Sequence, residues 1–387
     1  MTSKGSVASI TTMISEFSNL MTSGMKKKVR KHFKEYMLGI MIPPEIRRKS
    51  ISNISSLVST CDQSTLNRAI HAVDAETLEQ NYISYLKARI GNHSVEFIGD
   101  DTFLEHPGSK VMENVGWFFD HASGTNVLAH QPVTTMLYDL DTCEFYPFLI
   151  RMYVKENKDG NENSNEFKTK LEIMSELFAI ASMNFNVSGK VVDSWYSSFL
   201  FLGKNYTTEL KSNRKASYQD LGKTTRKNRD MFCTMDEILE TAFLMYDNNT
   251  GILEEFPLYR SFNIWLTNGK CANLVVLYNP ENRRKKFLVS DYLEGDDIMR
   301  AWKHRWSIET FHNDAKDLGM GEYQVRNGEG SLIHVRITMA AFTLLSLMNK
   351  ASMKLFGKIT KTIGEYSRAI KEVLILKRNY KSRLFSG

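Results

Sequence analysis

The spacing of the hydrophobic residues changes near residue 93, and this change constrains the fold more than any other feature of the chain. Before it, four segments carry apolar side chains at helical spacing: residues 28–41, 46–59, 63–73 and 75–90. After it, residues 94–101 form a strand pattern that ends in acids, and residues 126–140 and 144–155 are rich in Val, Thr, Tyr and Phe, which is typical of β-strands. A helical region therefore precedes a region that forms a sheet.

The elements after the third strand alternate. A polar linker at 156–165 leads to an amphipathic helix at 167–181, a short strand at 189–193, a helix at 195–202 and a strand at 206–211. Three consecutive strands followed by helix, strand, helix and strand is the order of the RNase H-like fold. Three more strand patterns follow before the next helix: residues 258–267, 271–278 and 286–292.

We therefore predict an α/β protein with an RNase H-like catalytic core, which is a mixed five-stranded sheet with flanking helices. The 387 residues are enough for more than one domain. The predicted parts are an all-helical domain, the first part of the core, a β-rich insertion, the second part of the core and a basic helical tail: residues 1–92, 93–211, 212–292, 293–350 and 351–387.

The composition limits the class of protein. A net charge of +6 is compatible with nucleic acid binding, and basic residues cluster at 26–31, 283–286 and 377–383, although such runs are often only solvated surface. The four cysteines form no Cys-x2-Cys pair, which argues against zinc ribbons and disulfide frameworks and favours a reducing cytoplasm. No phosphate-binding Gly-x4-Gly-Lys-Ser/Thr loop is present, so helicases and related phosphotransferases lack support.

Two further segments bear on location and partners. We find no signal peptide pattern, and the longest apolar run, residues 337–348, is too short to span a bilayer, so it predicts a buried helix. The short helices at 46–59 and 63–73 form either a DNA-binding helix-turn-helix or a simple packing unit.

One predicted helix, at residues 297–318, aligns four residues along a single stripe: Trp302, Arg305, Glu309 and Lys316. A carboxylate held beside an arginine and a lysine is what a metal-dependent phosphoryl-transfer site requires. A surface helix with an ordinary Arg305–Glu309 ion pair would show the same spacing, so the stripe alone leaves both interpretations open.

Acidic residues also end two predicted strands. Asp100 and Asp101 follow the first strand, and Asp193 follows the fourth. Such ends lie side by side at the centre of this type of sheet, where carboxylates can meet Glu309. An acidic turn and a helix N-cap are the alternatives for the two positions. Oxygen ligands of this kind suit Mg²⁺ or Mn²⁺.

The stripe resembles the Tyr-x2-Arg-x3-Glu-x6-Lys signature of prokaryotic insertion-sequence DDE transposases, with Trp302 in place of the tyrosine, and the resemblance covers about residues 97–350. It implies a two-metal DNA nuclease and strand transferase. The implied catalytic metal ligands are Asp101, Asp193 and Glu309, and the implied DNA contacts are Trp302, Arg305 and Lys316. The family's first aspartate directly precedes a threonine, which selects Asp101 over Asp100.

The resemblance thus implies an enzyme that uses two Mg²⁺ or Mn²⁺ ions per active site. Its partner would be double-stranded DNA, namely the terminal inverted repeats of the element and the target, bound by a homodimer in the cytoplasm at the nucleoid, with no membrane involved. Two alternatives remain: a domesticated DNA-binding protein without transposition activity, and an RNase H-like nuclease that cuts without joining. Inverted repeats flanking the gene would favour the transposase.

Overall fold

A computed structural model describes residues 4–42, 49–59, 61–156, 167–198, 203–245, 249–250, 255–350 and 362–375. Several sequence-based expectations concern residues outside these ranges: the helix break at Pro43-Pro44, most of the 156–165 linker, the second half of the 195–202 helix and the basic cluster at 377–383.

The N-terminal region is helical, as the spacing predicts. Its five helices are α1 (Lys4–Met21), α2 (Lys27–Met41), α3 (Ile51–Val58), α4 (Gln63–His71) and α5 (Ala75–Ile90). Side chains of Ser50, Asp62 and Asp74 accept backbone hydrogen bonds at the starts of α3, α4 and α5, so local capping defines where these helices begin. The Tyr82 hydroxyl of α5 donates to the carbonyl of Pro147, which ties this region to the rest of the protein.

The strands form one continuous mixed sheet. They are β1 (Ser94–Asp101), β2 (Leu104–Glu105), β3 (Gly116–Asp120), β4 (Thr125–Asp139), β5 (Glu144–Tyr153), β6 (Asn186–Val192), β7 (Tyr206–Glu209), β8 (Lys215–Ser217), β9 (Cys233–Thr234), β10 (Asn249–Thr250), β11 (Leu258–Leu266), β12 (Cys271–Asn279) and β13 (Arg284–Ser290).

The first part of the sheet has the strand order β5-β4-β1-β6-β7. β4 runs antiparallel to β1 and β5, whereas β6 runs parallel to both β1 and β7. The helix between β5 and β6 is α6 (Lys170–Asn184), which begins with a Thr169–Glu172 capping box and packs Met174 and Leu177 into the core. β1 is therefore the middle strand, with its carboxyl end between β4 and β6.

The strands of the predicted insertion extend the same sheet. β13 pairs antiparallel with β7, and β12 and β11 follow in order. The β11–β12 turn contains Gly269 with φ of +82°, a conformation that suits glycine. This part also contains a helix that the sequence analysis did not predict, α7 (Met235–Met245).

The predicted single helix at 297–318 is two helices, α8 (Gly295–His304) and α9 (Trp306–Asp317). At the junction, the Arg305 N–H donates to the Trp302 carbonyl and the Ile308 N–H donates to the Arg305 carbonyl. These three-residue bonds replace the four-residue bonds of an α-helix, so the helix is interrupted at Arg305. Trp302 and Glu309 consequently lie on different helices.

The chain continues into α10 (Gly328–Lys350) and α11 (Ile363–Ile375). In length and composition α10 resembles a membrane-spanning helix, but most of its apolar window is buried inside the protein. Ile337, Leu345 and Met348 are fully buried, which confirms the prediction of a buried helix for residues 337–348.

Candidate active site

The end of β1 carries two neighbouring aspartates on opposite faces of the sheet, because successive side chains of a strand alternate. A Cβ atom added at Gly99 would lie 2.5 Å from the sulfur of Met174, so α6 covers the face that carries residues 99 and 101. Asp101 accordingly pairs with Lys170 of α6, at 3.1 Å between Nζ and Oδ2. Asp100 faces the other way and pairs with Arg305, at 3.2 Å between Nη1 and Oδ2.

Arg305 brings together carboxylates from three parts of the chain. Its Nη1 atom lies 3.2 Å from Asp100 of β1 and 3.9 Å from Oδ1 of Asp193, which follows β6. Its Nη2 atom donates to Glu309, one turn further along α9. A planar guanidinium offers several N–H donors in different directions, so a single side chain can contact all three acids. We call these four residues the Arg305 cluster.

One contact supports Arg305 directly, and a second fixes the helix junction at which it lies. Its guanidinium carbon lies 4.7 Å from the ring centre of Trp302, which is only 3% exposed. Nδ1 of His304 lies 2.5 Å from Oε2 of Glu96 on β1, and this contact ties the α8–α9 junction to the strand that carries Asp100. Trp302, for which the resemblance implied a DNA contact, thus lies beneath Arg305 in the core.

Asp193 has both of the roles that the sequence left open. Its Oδ2 atom accepts the backbone N–H of Trp195 at 3.4 Å, capping a short 3-10 helix at Ser194–Tyr196. Its Oδ1 atom faces Arg305. Capping therefore uses one oxygen and leaves the other directed toward the cluster.

Asp101 lies in a separate polar environment. Besides Lys170, its carboxylate accepts the amide of Gln131 at 2.5 Å and the hydroxyl of Tyr196 at 3.0 Å. Burial raises the pKa of Tyr196 well above its usual value, with the charge of Asp101 as the next cause, so this hydroxyl keeps its proton and donates. The buried Oε1 atom of Gln131 has no hydrogen-bond partner among the described residues.

Asp100 is the carboxyl whose protonation the site perturbs most clearly. Burial raises its pKa to about 8, the negative charge of Asp193 adds to the increase, and Arg305 opposes it. Asp100 therefore keeps its proton to a higher pH than an exposed aspartate does. The cluster carries more acidic groups than its one guanidinium can fully neutralise.

His312 and Lys316 complete the α9 side of the site. Burial lowers the pKa of His312 to about 3, and the charges of Lys316 and Arg305 lower it further in the same direction, so the ring is neutral. Its Nε2 atom lies 2.6 Å from the hydroxyl of Thr134, which in turn donates to the backbone carbonyl of Asp100. Lys316 is exposed on the last turn of α9.

The structure thus brings Asp193, Glu309 and Arg305 together, with Asp100 as the aspartate of β1 that joins them. Asp101 lies on the other face and Trp302 beneath the cluster. Four neighbours of these residues were not predicted from the sequence: Gln131, Lys170, Tyr196 and His312. Only His312 had a local signal, because it lies three positions after Glu309.

The donor set fits a hard cation. Carboxylate oxygens are the ligands that Mg²⁺ prefers, and the Arg305 guanidinium already acts as a positive charge shared by three of them. In the described part of the chain, the groups whose ligand atoms all lie within 4.8 Å of one another are elsewhere: His32–Glu35–Cys61 and His93–Asp139–Asp141. A cation in the Arg305 cluster would therefore replace contacts that the guanidinium now makes.

Comparison with known proteins identifies the family. The model of a family described as archaeal putative transposase ISC1217, a group of DDE transposases, matches residues 7–348. No curated protein matches the chain. The family match confirms the resemblance to insertion-sequence DDE transposases that the helix signature indicated, and it implies a role in transposition, DNA binding and use of a divalent metal. The chain belongs to the archaeal putative transposase ISC1217 family.

Proposed function

We propose that this protein cleaves DNA at the ends of an insertion sequence and joins the freed ends to target DNA, using Mg²⁺ or Mn²⁺. The observation that carries the proposal is the convergence of Asp193 and Glu309 on one guanidinium at the carboxyl end of β1, where the guanidinium also contacts Asp100. These acids come from a central strand, the end of its parallel neighbour and a late helix, so only tertiary structure unites them. A surface ion pair between Arg305 and Glu309 needs neither aspartate.

The strand order supports an RNase H-like catalytic core. The order β5-β4-β1-β6-β7, with β4 antiparallel and β6 and β7 parallel to β1, is the arrangement of that fold. The two aspartates of β1 and Asp193 lie at the carboxyl ends of neighbouring parallel strands, where ligands of open α/β sheets gather.

We assign Asp193 and Glu309 as two metal ligands and take the third from β1. Asp101 remains the proposed third ligand because it directly precedes Thr102, as in the family motif. Gln131 lies next to Asp101, and its Oε1 atom, which has no hydrogen-bond partner among the described residues, is a further oxygen that could coordinate a cation. Asp100 is the competing candidate because it shares Arg305 with the other two acids.

Two bound divalent ions would activate the attacking oxygen and stabilise the leaving oxygen of the phosphodiester. Basic side chains of the protein would add positive charge beside the ions and the DNA. Lys316 is exposed on the last turn of α9, and we assign it to contact the DNA backbone, as the resemblance implies. Trp302, which the resemblance also made a DNA contact, instead supports Arg305. Water first cleaves the strand, and the freed 3′-hydroxyl then attacks a target phosphodiester in line, so one P–O bond forms as another breaks.

The helical N-terminal region is the proposed DNA-binding domain, with α3 and α4 as a candidate helix-turn-helix. Its second helix is capped by Asp62 and carries Arg68 in its last turn. The double-stranded DNA ends of the element are the proposed ligand, and a homodimer at the nucleoid would hold two of them together. Because phosphate contacts dominate such binding, affinity should fall steeply with salt.

The test uses supercoiled plasmid that carries the DNA flanking the gene. Wild type and Glu309→Gln are compared in Mg²⁺, Mn²⁺ and EDTA. We expect metal-dependent cuts at the element ends and joined products with wild type, and neither with the variant. Cuts without joined products would favour a nuclease. End binding without cutting by wild type would favour the domesticated DNA-binding protein, and cutting by the variant would exclude Glu309 as a ligand.

A further inference from the structure

A second group of potential metal ligands lies in the N-terminal helical region. His32 and Glu35 are one helical turn apart on α2, and both are buried. Cys61 comes from the turn between α3 and α4, next to Asp62, which caps α4. These three residues supply an imidazole nitrogen, a carboxylate oxygen and a thiol sulfur at one point between helices.

The ligand atoms are already close together. Nδ1 of His32 lies 2.8 Å from Oε2 of Glu35 and 3.6 Å from the sulfur of Cys61, and all three atoms lie within 4.8 Å of one another. In a tetrahedral zinc site, with Zn–N of about 2.0–2.1 Å and Zn–S of about 2.3 Å, nitrogen and sulfur are separated by about 3.6 Å. The nitrogen–sulfur distance therefore matches, whereas the nitrogen–oxygen distance would widen slightly.

The surrounding hydrogen bonds hold the cysteine turn in place. The hydroxyl of Ser59 donates to Oε2 of Glu35 at 2.9 Å, and the backbone N–H of Cys61 donates to the Ser59 oxygen at 3.1 Å. The hydroxyl of Ser55 donates to the Cys61 carbonyl at 2.9 Å. Ligands from two segments are thus positioned before any ion binds, which lowers the entropic cost of forming a site.

We propose that His32, Glu35 and Cys61 bind one Zn²⁺ ion, with water in the fourth position. Nitrogen, oxygen and sulfur together suit Zn²⁺, whereas Mg²⁺ and Ca²⁺ take oxygen ligands. Cys61 is only partly buried, which leaves an approach for the ion and for water. The site is chemically distinct from the all-oxygen carboxylates around Arg305.

Binding has a defined proton balance. The thiol of Cys61 loses one proton to solvent as its sulfur binds zinc. A neutral His32 ring carries its proton on Nε2 in the bound form, because Nδ1 holds the ion. No oxidation or reduction takes place. Zinc binding should therefore release the thiol proton of Cys61 and weaken as pH falls.

The ion would fix the helix pair that we propose for DNA binding. It links α2 to the turn that separates α3 from α4, so it sets the position of both helices relative to the basic helix α2. This consequence depends on the proposed function, but zinc binding itself does not.

Cobalt reports the site in the full-length protein. After removal of metals, the protein is titrated with Co²⁺ under a reductant that does not bind metals. We expect one equivalent that gives thiolate-to-cobalt absorption and tetrahedral d–d bands, displaced by Zn²⁺. Carboxylate sites such as the Arg305 cluster give no thiolate band. Absence of that band in folded wild type would overturn the proposal.

Variants assign the ligands. Cys61→Ser should remove the thiolate band, and His32→Gln should weaken zinc binding at least about 100-fold. Cys233→Ser is the matched control, since Cys233 is also a partly buried free cysteine, and it should retain both signals. Retention of the band in folded Cys61→Ser contradicts the assignment.

One measurement needs no variant and so covers the case in which these substitutions prevent folding. Zn²⁺ should protect Cys61 of the wild-type protein from alkylation, as followed by peptide mass spectrometry, and leave the exposed Cys143 equally reactive. Equal labelling of Cys61 with and without Zn²⁺ would show that these residues form a hydrogen-bonded network only.

Discussion

The two faces at the end of β1 each hold an aspartate, but they neutralise it differently. Asp100 shares the guanidinium of Arg305 with acids from two other elements. Asp101 forms an ion pair with Lys170 and accepts hydrogen bonds from two neutral donors, Gln131 and Tyr196. Adjacent positions in a strand can thus belong to a charged network on one face and a hydrogen-bonded pocket on the other. The family motif favours the second face, and the charge network favours the first.

The largest expected effect separates these two aspartates. Loss of a metal ligand should lower DNA cleavage by about 10³-fold or more, because both reacting oxygens depend on the ions. We expect this from Asp101→Asn and a smaller loss, of about 10- to 100-fold, from Asp100→Asn, since the latter carboxyl only adjusts the charge around Arg305. Single-turnover cleavage in Mg²⁺ measures both.

If Asp100→Asn instead caused the larger loss of cleavage, Asp100 would be the metal ligand and Asp101 would only pair with Lys170. Equal large losses would indicate that both carboxylates contact the ions or the DNA. Circular dichroism of each variant should be measured first, so that misfolding is not mistaken for loss of chemistry.

The next effect concerns the arginine that defines the Asp100 face. Arg305→Ala removes the only positive side chain that contacts all three acids of the cluster in the described structure, so it should lower the free energy of unfolding by about 3 kcal/mol in EDTA. Added Mg²⁺ should recover part of this loss, because a cation can take over the carboxylates. Chemical denaturation with and without Mg²⁺ measures both changes.

Arg300→Ala is the matched control. Arg300 pairs with Asp297 on α8, but both side chains are more than half exposed. Such a pair contributes at most about 1 kcal/mol. If the two variants lose the same stability, the Arg305 cluster is not a buried network.

The fold could be predicted where the hydrophobic spacing was unambiguous. β1 was predicted with its observed bounds because Val95, Phe97 and Ile98 give a short strand pattern that ends in two acids. The break between α8 and α9 could not be predicted, because residues 297–318 keep helical spacing throughout. Contacts such as that between His304 and Glu96 accompany the interruption, and they join residues far apart in sequence. Likewise, no spacing indicates that the insertion strands continue the central sheet through β7 and β13.

Some residues of the candidate site could also be predicted from the sequence, and others could not. Arg305 and Glu309 could be predicted together because they lie one turn apart. Asp193 required the strand order as well. The side of the sheet that each β1 aspartate faces could not be predicted from the motif, since Asp100 and Asp101 are adjacent and their faces are distinguished by long-range packing such as that of Met174 over Gly99. The His32–Glu35–Cys61 group was also missed, because Cys61 belongs to no recognisable cysteine spacing.

A smaller effect is the pH dependence of stability on the Asp100 face. The folded pKa of Asp100, about 8, lies above the ordinary value of 3.8, so between these values the folded protein binds more protons at this position than the unfolded chain. This group therefore lowers the free energy of unfolding as pH rises from about 4 to 8. Asp100→Asn removes that contribution.

We expect the free energy of unfolding of the variant, minus that of wild type, to rise by about 1–3 kcal/mol from pH 5 to pH 8 in EDTA. Urea denaturation at several pH values measures it. Parallel pH profiles for the two proteins would show that Asp100 is ionised in the folded state. The two aspartates of β1 would then not differ in protonation, despite the burial of Asp100.

The smallest expected effect tests what lies beneath the cluster. Trp302 is 3% exposed and its ring contacts Arg305, whereas Trp306, four residues later, is 56% exposed. Trp302→Phe should cost about 1–2 kcal/mol of stability because the smaller ring leaves a gap, and Trp306→Phe should change it by at most about 0.5 kcal/mol. DNA affinity, measured on the folded variants, distinguishes support from direct contact. If Trp302→Phe weakens DNA binding without loss of stability, the ring contacts DNA as the family signature implied, and Arg305 must be held by other residues.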